Sequence, residues 1–206
     1  MSTHRIPRPT TSHREARAAD ARAEANPWVF STRELARRPG VMRTATRTVP
    51  GPGADDPDRA IGLVGVLAVP PDSPVELDLR LESVTEGVYV SGTARAHLVG
   101  ECSRCLDELS EDIEVRVEEL FAYPDSVTEE TTDADEIPRM DDERFDLEQT
   151  VRDAIVLELP LAPLCTEDCL GLCPDCGGRR ADLGPDHGHE TLDPRWAALR
   201  ERSSSD

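Results

Sequence analysis

Four cysteines crowd into twelve residues near the carboxyl end. Cys165, Cys169, Cys173 and Cys176 are spaced C-x3-C-x3-C-x2-C. Thiolates at such spacing suit a tetrahedral zinc ion, which takes four sulfurs at about 2.3 Å. Four sulfurs this close in sequence reach one ion only if the backbone doubles back, and the intervening residues permit that. Cys173-Pro-Asp-Cys176-Gly177-Gly178 has the form of a zinc knuckle. Pro174 fixes φ inside the turn, and Gly177 allows a positive φ just after the second ligand. Gly171 relieves the bend between Cys169 and Cys173.

A second C-x2-C, Cys102-Ser-Arg-Cys105, leaves six thiols for one four-ligand ion. Either Cys165, Cys169, Cys173 and Cys176 form the site, or Cys102 and Cys105 join Cys173 and Cys176 in a two-knuckle site. The first is favoured because it closes only short loops; the second spans a gap of 67 residues. His187 and His189 are alternative ligands, although a solvated turn also accounts for them. The rival chemistry is thiol–disulfide exchange, for which C-x2-C is also the spacing. The acids Glu167, Asp168 and Asp175 oppose a low thiol pKa, and Pro174 with the two glycines favours a knuckle. A site closed by protein ligands is structural, whereas a catalytic zinc keeps a position open. The sequence carries no P-loop, G-x-G-x-x-G, H-E-x-x-H or G-x-S-x-G, and the expectation is a protein that is not an enzyme.

The 206 residues hold 23 basic and 42 acidic side chains, for a net charge of −19. Residues 1–50 contain ten Arg against four acids, hence +6, and the remainder is −25. An acidic body repels nucleic acid at long range and suits a basic protein partner. Arg33, Arg37, Arg38, Arg43 and Arg47 are the candidate contacts to RNA phosphate or to a partner, with solvated surface charge as the plainer reading. The N-terminus lacks an apolar leader and no segment is long enough to span a bilayer. A cytoplasmic location is therefore expected, where thiols stay reduced.

The elements that must position the cysteines are mostly strands. Residues 61–69, IGLVGVLAV, suit one buried strand, and Val75, Leu77, Leu79 and Leu81 alternate with charges as a half-buried one. Val88, Val90, Ala94, Ala96 and Leu98 share one face of the next, and Ile113, Val115 and Val117 follow after Cys105. This is an antiparallel meander of about four strands. Ser31 and Glu34 predict a capped short helix ending at Pro39-Gly40. Asp146 and Gln149 open a helix with Leu147, Val151, Ala154 and Ile155 on one face, stopped by Pro160. A last short helix starts at Asp193-Pro194 and carries Trp196 and Leu199. Residues 124–144, with nine acids against two Arg, form a flexible loop. The fold class is α+β: a meander packed by helices, with a knuckle-like C-terminal segment. Residues 1–25 are a disordered basic arm, 26–200 one domain containing the cysteine cluster at 165–178, and 201–206 a disordered tail.

Taken together, several runs resemble the YceD family of large ribosomal RNA subunit accumulation proteins. They are Cys102-Ser-Arg-Cys105-Leu106, Leu159-Pro-Leu-Ala-Pro-Leu-Cys165, Glu167-Asp-Cys169, Gly171-Leu-Cys173-Pro, Cys176-Gly177 and Asp193-Pro-Arg-Trp-Ala-Ala-Leu199, with Phe30 to Leu35 as an early match. The resemblance covers about residues 27–200. It implies a non-enzymatic role in accumulation, processing or stability of large-subunit (23S) ribosomal RNA; with the acidic surface beside it, the expected partner is that RNA or a basic ribosomal protein. Some members of the family carry a late Cys-x-Cys where this chain has His187-Gly-His189, which keeps histidine available as a ligand.

Overall fold

From Pro74 to Val117 apolar side chains recur at nearly every second position, and that period sets the architecture. In the computed structural model, which describes residues 26–51, 59–127 and 137–189, the elements run in this order. β1 (Val29–Ser31) precedes a 3-10 turn (Arg33–Leu35) and β2 (Met42–Pro50). A small hairpin of β3 (Gly62–Leu63) and β4 (Leu67–Ala68) follows. Then come β5 (Pro74–Ser83), β6 (Gly87–Glu101), β7 (Glu108–Ala122), β8 (Arg144–Asp146) and α1 (Glu148–Glu158). β6 is the spine of a six-stranded antiparallel sheet. One of its edges pairs with β5 and then β4, the other with β7, and β2 lies outside β5. β1 and β8 form a separate two-stranded ribbon.

The buried face is the one the alternation marks: Val75, Leu77, Leu79 and Leu81 on β5, Val88, Val90, Ala94, Ala96 and Leu98 on β6, and Val115 and Val117 on β7. The helix α1 covers part of it, burying Val151 and Ile155 with Leu147 just before its first turn. The Asp146 carboxylate accepts the Glu148 backbone N–H at 2.9 Å, and Pro160 follows the last turn. Phe145 stacks on Phe121 at 4.3 Å and on Phe30 at 5.6 Å, which joins the ribbon to the large sheet.

The structure differs from the sequence expectation in five places. Residues 61–69 form a hairpin, because Gly65 takes φ +79 and turns the chain, leaving Val64 exposed. β2 is a full strand that its modest apolar content did not announce; only Val49 is buried, and Ala45 is partly so. The Ser31–Leu35 segment is a single 3-10 turn whose first residue, Arg33, follows Thr32 without a side-chain cap. Among the described residues there is one α-helix, so the sheet is packed by a helix in the singular. The end of the acidic loop is ordered: Met140 is buried and its N–H reaches the Ala122 carbonyl at 2.9 Å. The arm 1–25, the helix expected at 193–199 and the tail 201–206 lie outside the described residues.

The β6–β7 hairpin is paired from Gly87↔Ala122 to Glu101↔Glu108, so its tip is the segment Cys102–Asp107. Along β7, Glu108, Glu111, Asp112, Glu114 and Glu118 are exposed, and among the described residues the strand pairs with β6 on one side and, on the other, makes a single bridge from its last residue, Ala122, to Arg139.

Candidate metal centres

The hairpin tip is a knuckle. The Cys102 N–H donates to the Asp107 carbonyl at 2.8 Å, and the Leu106 N–H donates to the Cys102 carbonyl at 2.9 Å. The C-terminal knuckle repeats the pattern residue for residue. The Cys173 N–H donates to the Gly178 carbonyl at 2.7 Å, and the Gly177 N–H to the Cys173 carbonyl at 2.8 Å. Both turns need a left-handed residue after the second cysteine: Gly177 at φ +71 and Leu106 at φ +61. Leucine in that conformation is strained, by about 1–2 kcal/mol. Leu106→Gly is therefore expected to raise stability by up to about 1 kcal/mol, offset in part by the entropy of glycine in the unfolded chain. Metal content should not change. A urea titration with elemental analysis checks both.

The six cysteines do not gather as either sequence arrangement expected. Cys165 and Cys169 join Cys102 and Cys105, while Cys173 and Cys176 join His187 and His189. Within each group the four ligand atoms all lie within 4.8 Å of one another, and each group could hold a metal ion. Neither Cys165, Cys169, Cys173 and Cys176 nor Cys102, Cys105, Cys173 and Cys176 forms a single site. The physical reason is the path after α1. Ser103 N–H donates to the Pro163 carbonyl at 2.8 Å, and Leu172 N–H to the Arg104 carbonyl at 3.0 Å. The Arg104 guanidinium donates to the Cys169 carbonyl at 2.9 Å. These bonds lay residues 163–172 along the hairpin tip. Gly171, at φ +72, sits so close to Arg104 that a Cβ would meet its carbonyl oxygen at 3.0 Å. The chain turns there and carries Cys173 away.

Sulfur spacing in the first group matches a tetrahedral ion. The Cys102 and Cys169 Sγ atoms are 3.7 Å apart, and those of Cys105 and Cys165 are 3.6 Å apart. A zinc–sulfur bond of about 2.3 Å gives a tetrahedral edge of about 3.8 Å. A disulfide needs about 2.0 Å, and all six cysteines are free. Cys102 and Cys169 are buried, Cys105 is half-buried and Cys165 exposed.

The thiols are unequal. Burial pushes Cys102 up, but the backbone N–H groups of Cys105, Arg104 and Cys165 outweigh it and bring the thiol down to about 6. Cys105 is raised by burial and by the neighbouring Cys102 and Cys165 sulfurs. Cys165 is pulled down by Cys105, yet Cys169, burial and Cys102 leave it raised. Cys169 is lowered by the Gly171 N–H and raised more by burial and by Cys105 and Cys102. In the second group, Cys173 comes down to about 6 through the N–H groups of Cys176 and Asp175 and a hydrogen bond from His187. Each group thus holds one ready thiolate. In the first group a cation must draw off the thiol protons of Cys105, Cys165 and Cys169, since metal ligands bind deprotonated.

The family described as "Large ribosomal RNA subunit accumulation protein YceD" matches residues 90–201, more than half of the chain and all eight candidate ligands. The chain belongs to the YceD family. Among curated relatives, Rv2926c of Mycobacterium tuberculosis (strain ATCC 25618 / H37Rv) is 49% identical over 177 residues, covering 86% of this chain and 82% of that protein. ML1660 of Mycobacterium leprae (strain TN) is 41% identical over 181 residues, covering 88% and 80%. YlbN of Bacillus subtilis (strain 168) is 27% identical over 135 residues, covering 65% and 77%. No solved structure matches the chain.

Of the arginines singled out as contacts, four are engaged within this YceD chain. Arg33 pairs with Glu143 at 3.1 Å, Arg37 with Asp125 at 3.0 Å and Arg43 with Glu34 at 2.6 Å. Arg47 turns inward: it donates to the Pro27 and Val29 carbonyls at 2.8 and 2.9 Å and lies 4.0 Å over the Phe30 ring. Arg38 is exposed. No helix among the described residues is long and apolar enough to cross a membrane.

Proposed function

We propose that this chain is a non-enzymatic cytoplasmic factor for the accumulation or processing of large-subunit (23S) ribosomal RNA. In this reading Cys102, Cys105, Cys165 and Cys169 hold a structural zinc ion. The observation that carries the role is the YceD match across residues 90–201. The donor set supports the metal: four thiolates in a tetrahedron suit zinc or iron, and elemental analysis separates the two. All four positions are filled by protein, which is the arrangement of a structural ion. The ion supplies cohesion. The residues do the rest: the hairpin tip offers one pair of sulfurs, the turn-containing run 163–172 offers the other, and Arg104 orients that run through its carbonyl and guanidinium.

Against a thiol-exchange role stands the pairing of the sulfurs. The short contacts at 3.6 and 3.7 Å link one segment to another, Cys105 to Cys165 and Cys102 to Cys169, as a staple does. On the partner side, the acidic body suits a basic ribosomal protein, and the exposed arginines suit phosphate. Arg38 and the exposed pairs of Arg33, Arg37 and Arg43 are the groups phosphate would compete for. Exposed pairs of this kind are worth about 0–1 kcal/mol and yield readily. The test is a pull-down of the tagged full chain from lysate with and without RNase. Large-subunit components are expected in the bound fraction. Ribosomal proteins that persist after RNase identify a protein adaptor, and loss of all partners identifies RNA binding. A bound fraction free of ribosomal RNA and ribosomal protein in both arms would overturn the role.

A further inference from the structure

A structural zinc on Cys102, Cys105, Cys165 and Cys169 leaves Cys173, Cys176, His187 and His189 unused. We propose that these four form a second zinc centre, of Cys2His2 type, that loads and empties independently of the four-cysteine site. Three observations on the second group carry this, and none depends on the first site being loaded.

The geometry comes first. The Cys176 Sγ and His187 Nε2 atoms are 3.6 Å apart, and the Nε2 atoms of His187 and His189 are 2.9 Å apart. Zinc bonds of about 2.3 Å to sulfur and about 2.0–2.1 Å to nitrogen give tetrahedral edges of about 3.6 Å from sulfur to nitrogen and about 3.3 Å between nitrogens, so the Cys176–His187 pair fits and the two imidazoles must part by about 0.4 Å to take the ion. The imidazoles sit edge to face, 4.6 Å apart at 83°, and present the same nitrogen to one point. At that distance the two nitrogens either share one proton in an N–H···N hydrogen bond or aim both lone pairs at one ion, and the Cys173 and Cys176 sulfurs within 4.8 Å favour the ion.

The second observation is the knuckle at Cys173–Gly178, which is already folded around its sulfurs by the hydrogen bonds that shape the tip at Cys102–Asp107. The third is the segment's thin support: the Arg179–Asp107 ion pair and the Arg180 N–H on the Gly171 carbonyl, at 2.9 Å, tether its first two residues. From Arg179 to His189 every residue is exposed except Leu183, which is half-buried against Gly178. One leucine cannot offset the entropy of ordering eleven residues, at about 1–2 kcal/mol each for the backbone. An ion that ties His187 and His189 to Cys173 and Cys176 can contribute on that scale.

The centres differ in charge and access. Four thiolates around zinc leave a net −2. Two thiolates and two neutral imidazoles leave zero. In the first group two ligands are buried; in the second only Cys173 is, so Cys176, His187 and His189 lie open to a chelator.

Native mass spectrometry of the full chain, purified with zinc under reducing conditions, tests this. Wild type is expected to hold two zinc ions, and the His187→Ala/His189→Ala variant one, with an unchanged far-ultraviolet circular dichroism spectrum. Cys105→Ser/Cys165→Ser should also hold one, now bound at the second centre. EDTA should remove the two wild-type ions in separate phases, and the faster phase should be missing from the histidine variant. Cobalt substitution reads ligation without a variant: the ion released first should give about half the sulfur-to-metal charge-transfer intensity of the other. A histidine variant that retains the wild-type zinc count would overturn the second centre. Loss of zinc only from the histidine variant, with Cys105→Ser/Cys165→Ser unaffected, would sustain it and sink the four-cysteine site instead.

Discussion

Replacing Cys102 and Cys169 together by serine should strip one zinc from each chain and lower the thermal midpoint by roughly 8–16 °C. The size follows from linkage. A ligand present at about 1,000 times its dissociation constant stabilises the folded state by about 4 kcal/mol, and about 1 kcal/mol moves the midpoint of a chain this long by about 2–4 °C. The two sulfurs are buried and 3.7 Å apart, and they come from positions 67 residues apart in sequence. Their loss therefore detaches the run after α1 from the hairpin tip. Calorimetry gives the midpoint, and limited proteolysis should show new cleavage between Leu159 and Leu172. Chelator added to wild type should reproduce the shift. If the variant loses its zinc and the midpoint moves by less than about 3 °C, the ion is not a staple.

A comparable loss is expected from a single added methyl group far from any metal. Gly92 sits in the middle of β6, between Leu79 on β5 and Val117 on β7. A Cβ built there would run into the Asp78 carbonyl oxygen, with the Leu79 Cα at 2.9 Å behind it. Both obstacles are backbone, so no side-chain rotation relieves them. Over-packing typically costs about 1–3 kcal/mol where side chains can shift. With the central strand pair unable to yield, Gly92→Ala should cost at least about 3 kcal/mol. Denaturant titration measures it, and zinc content per folded chain should stay at the wild-type value. A cost below about 1 kcal/mol would mean that β5 and β6 are not tightly apposed at Gly92.

The buried sheet face could be read from the sequence because strand geometry is local. Leu77, Leu79 and Leu81 alternate with charges, and the alternation alone assigns them inward. The same holds for Val151 and Ile155 on α1. The pairing of the cysteines was not readable in that way. Loop entropy pointed to the local quartet, but its dependence on length is logarithmic: lengthening a loop from about 12 to about 60 residues adds only about 1.4 kcal/mol. The sheet and α1 have already brought Cys165 to Cys105, so the remaining difference is smaller still. Donor arithmetic carried a better signal. Six cysteines with His187 and His189 make eight donors, two full tetrahedral sets, and each C-x2-C supplies half of one. The hairpin at 61–69 was hidden for a different reason. An apolar run reads as one strand until Gly65 is given its left-handed turn. β2 was hidden because Thr44, Thr46 and Thr48 alternate with Ala45 and Arg47, and Arg47 is held inward by carbonyls and the Phe30 ring rather than by hydrophobicity.

The acids along β7 have a consequence for how copies of the molecule meet. A strand bonded on one side leaves a row of open amide and carbonyl groups that invites another strand to add itself. Two such rims brought together would set Glu108, Glu111, Asp112, Glu114 and Glu118 against their own duplicates, and like charges facing across a strand pair repel. Crowded solutions should therefore stay clear, and clouding should begin only when acid neutralises those side chains.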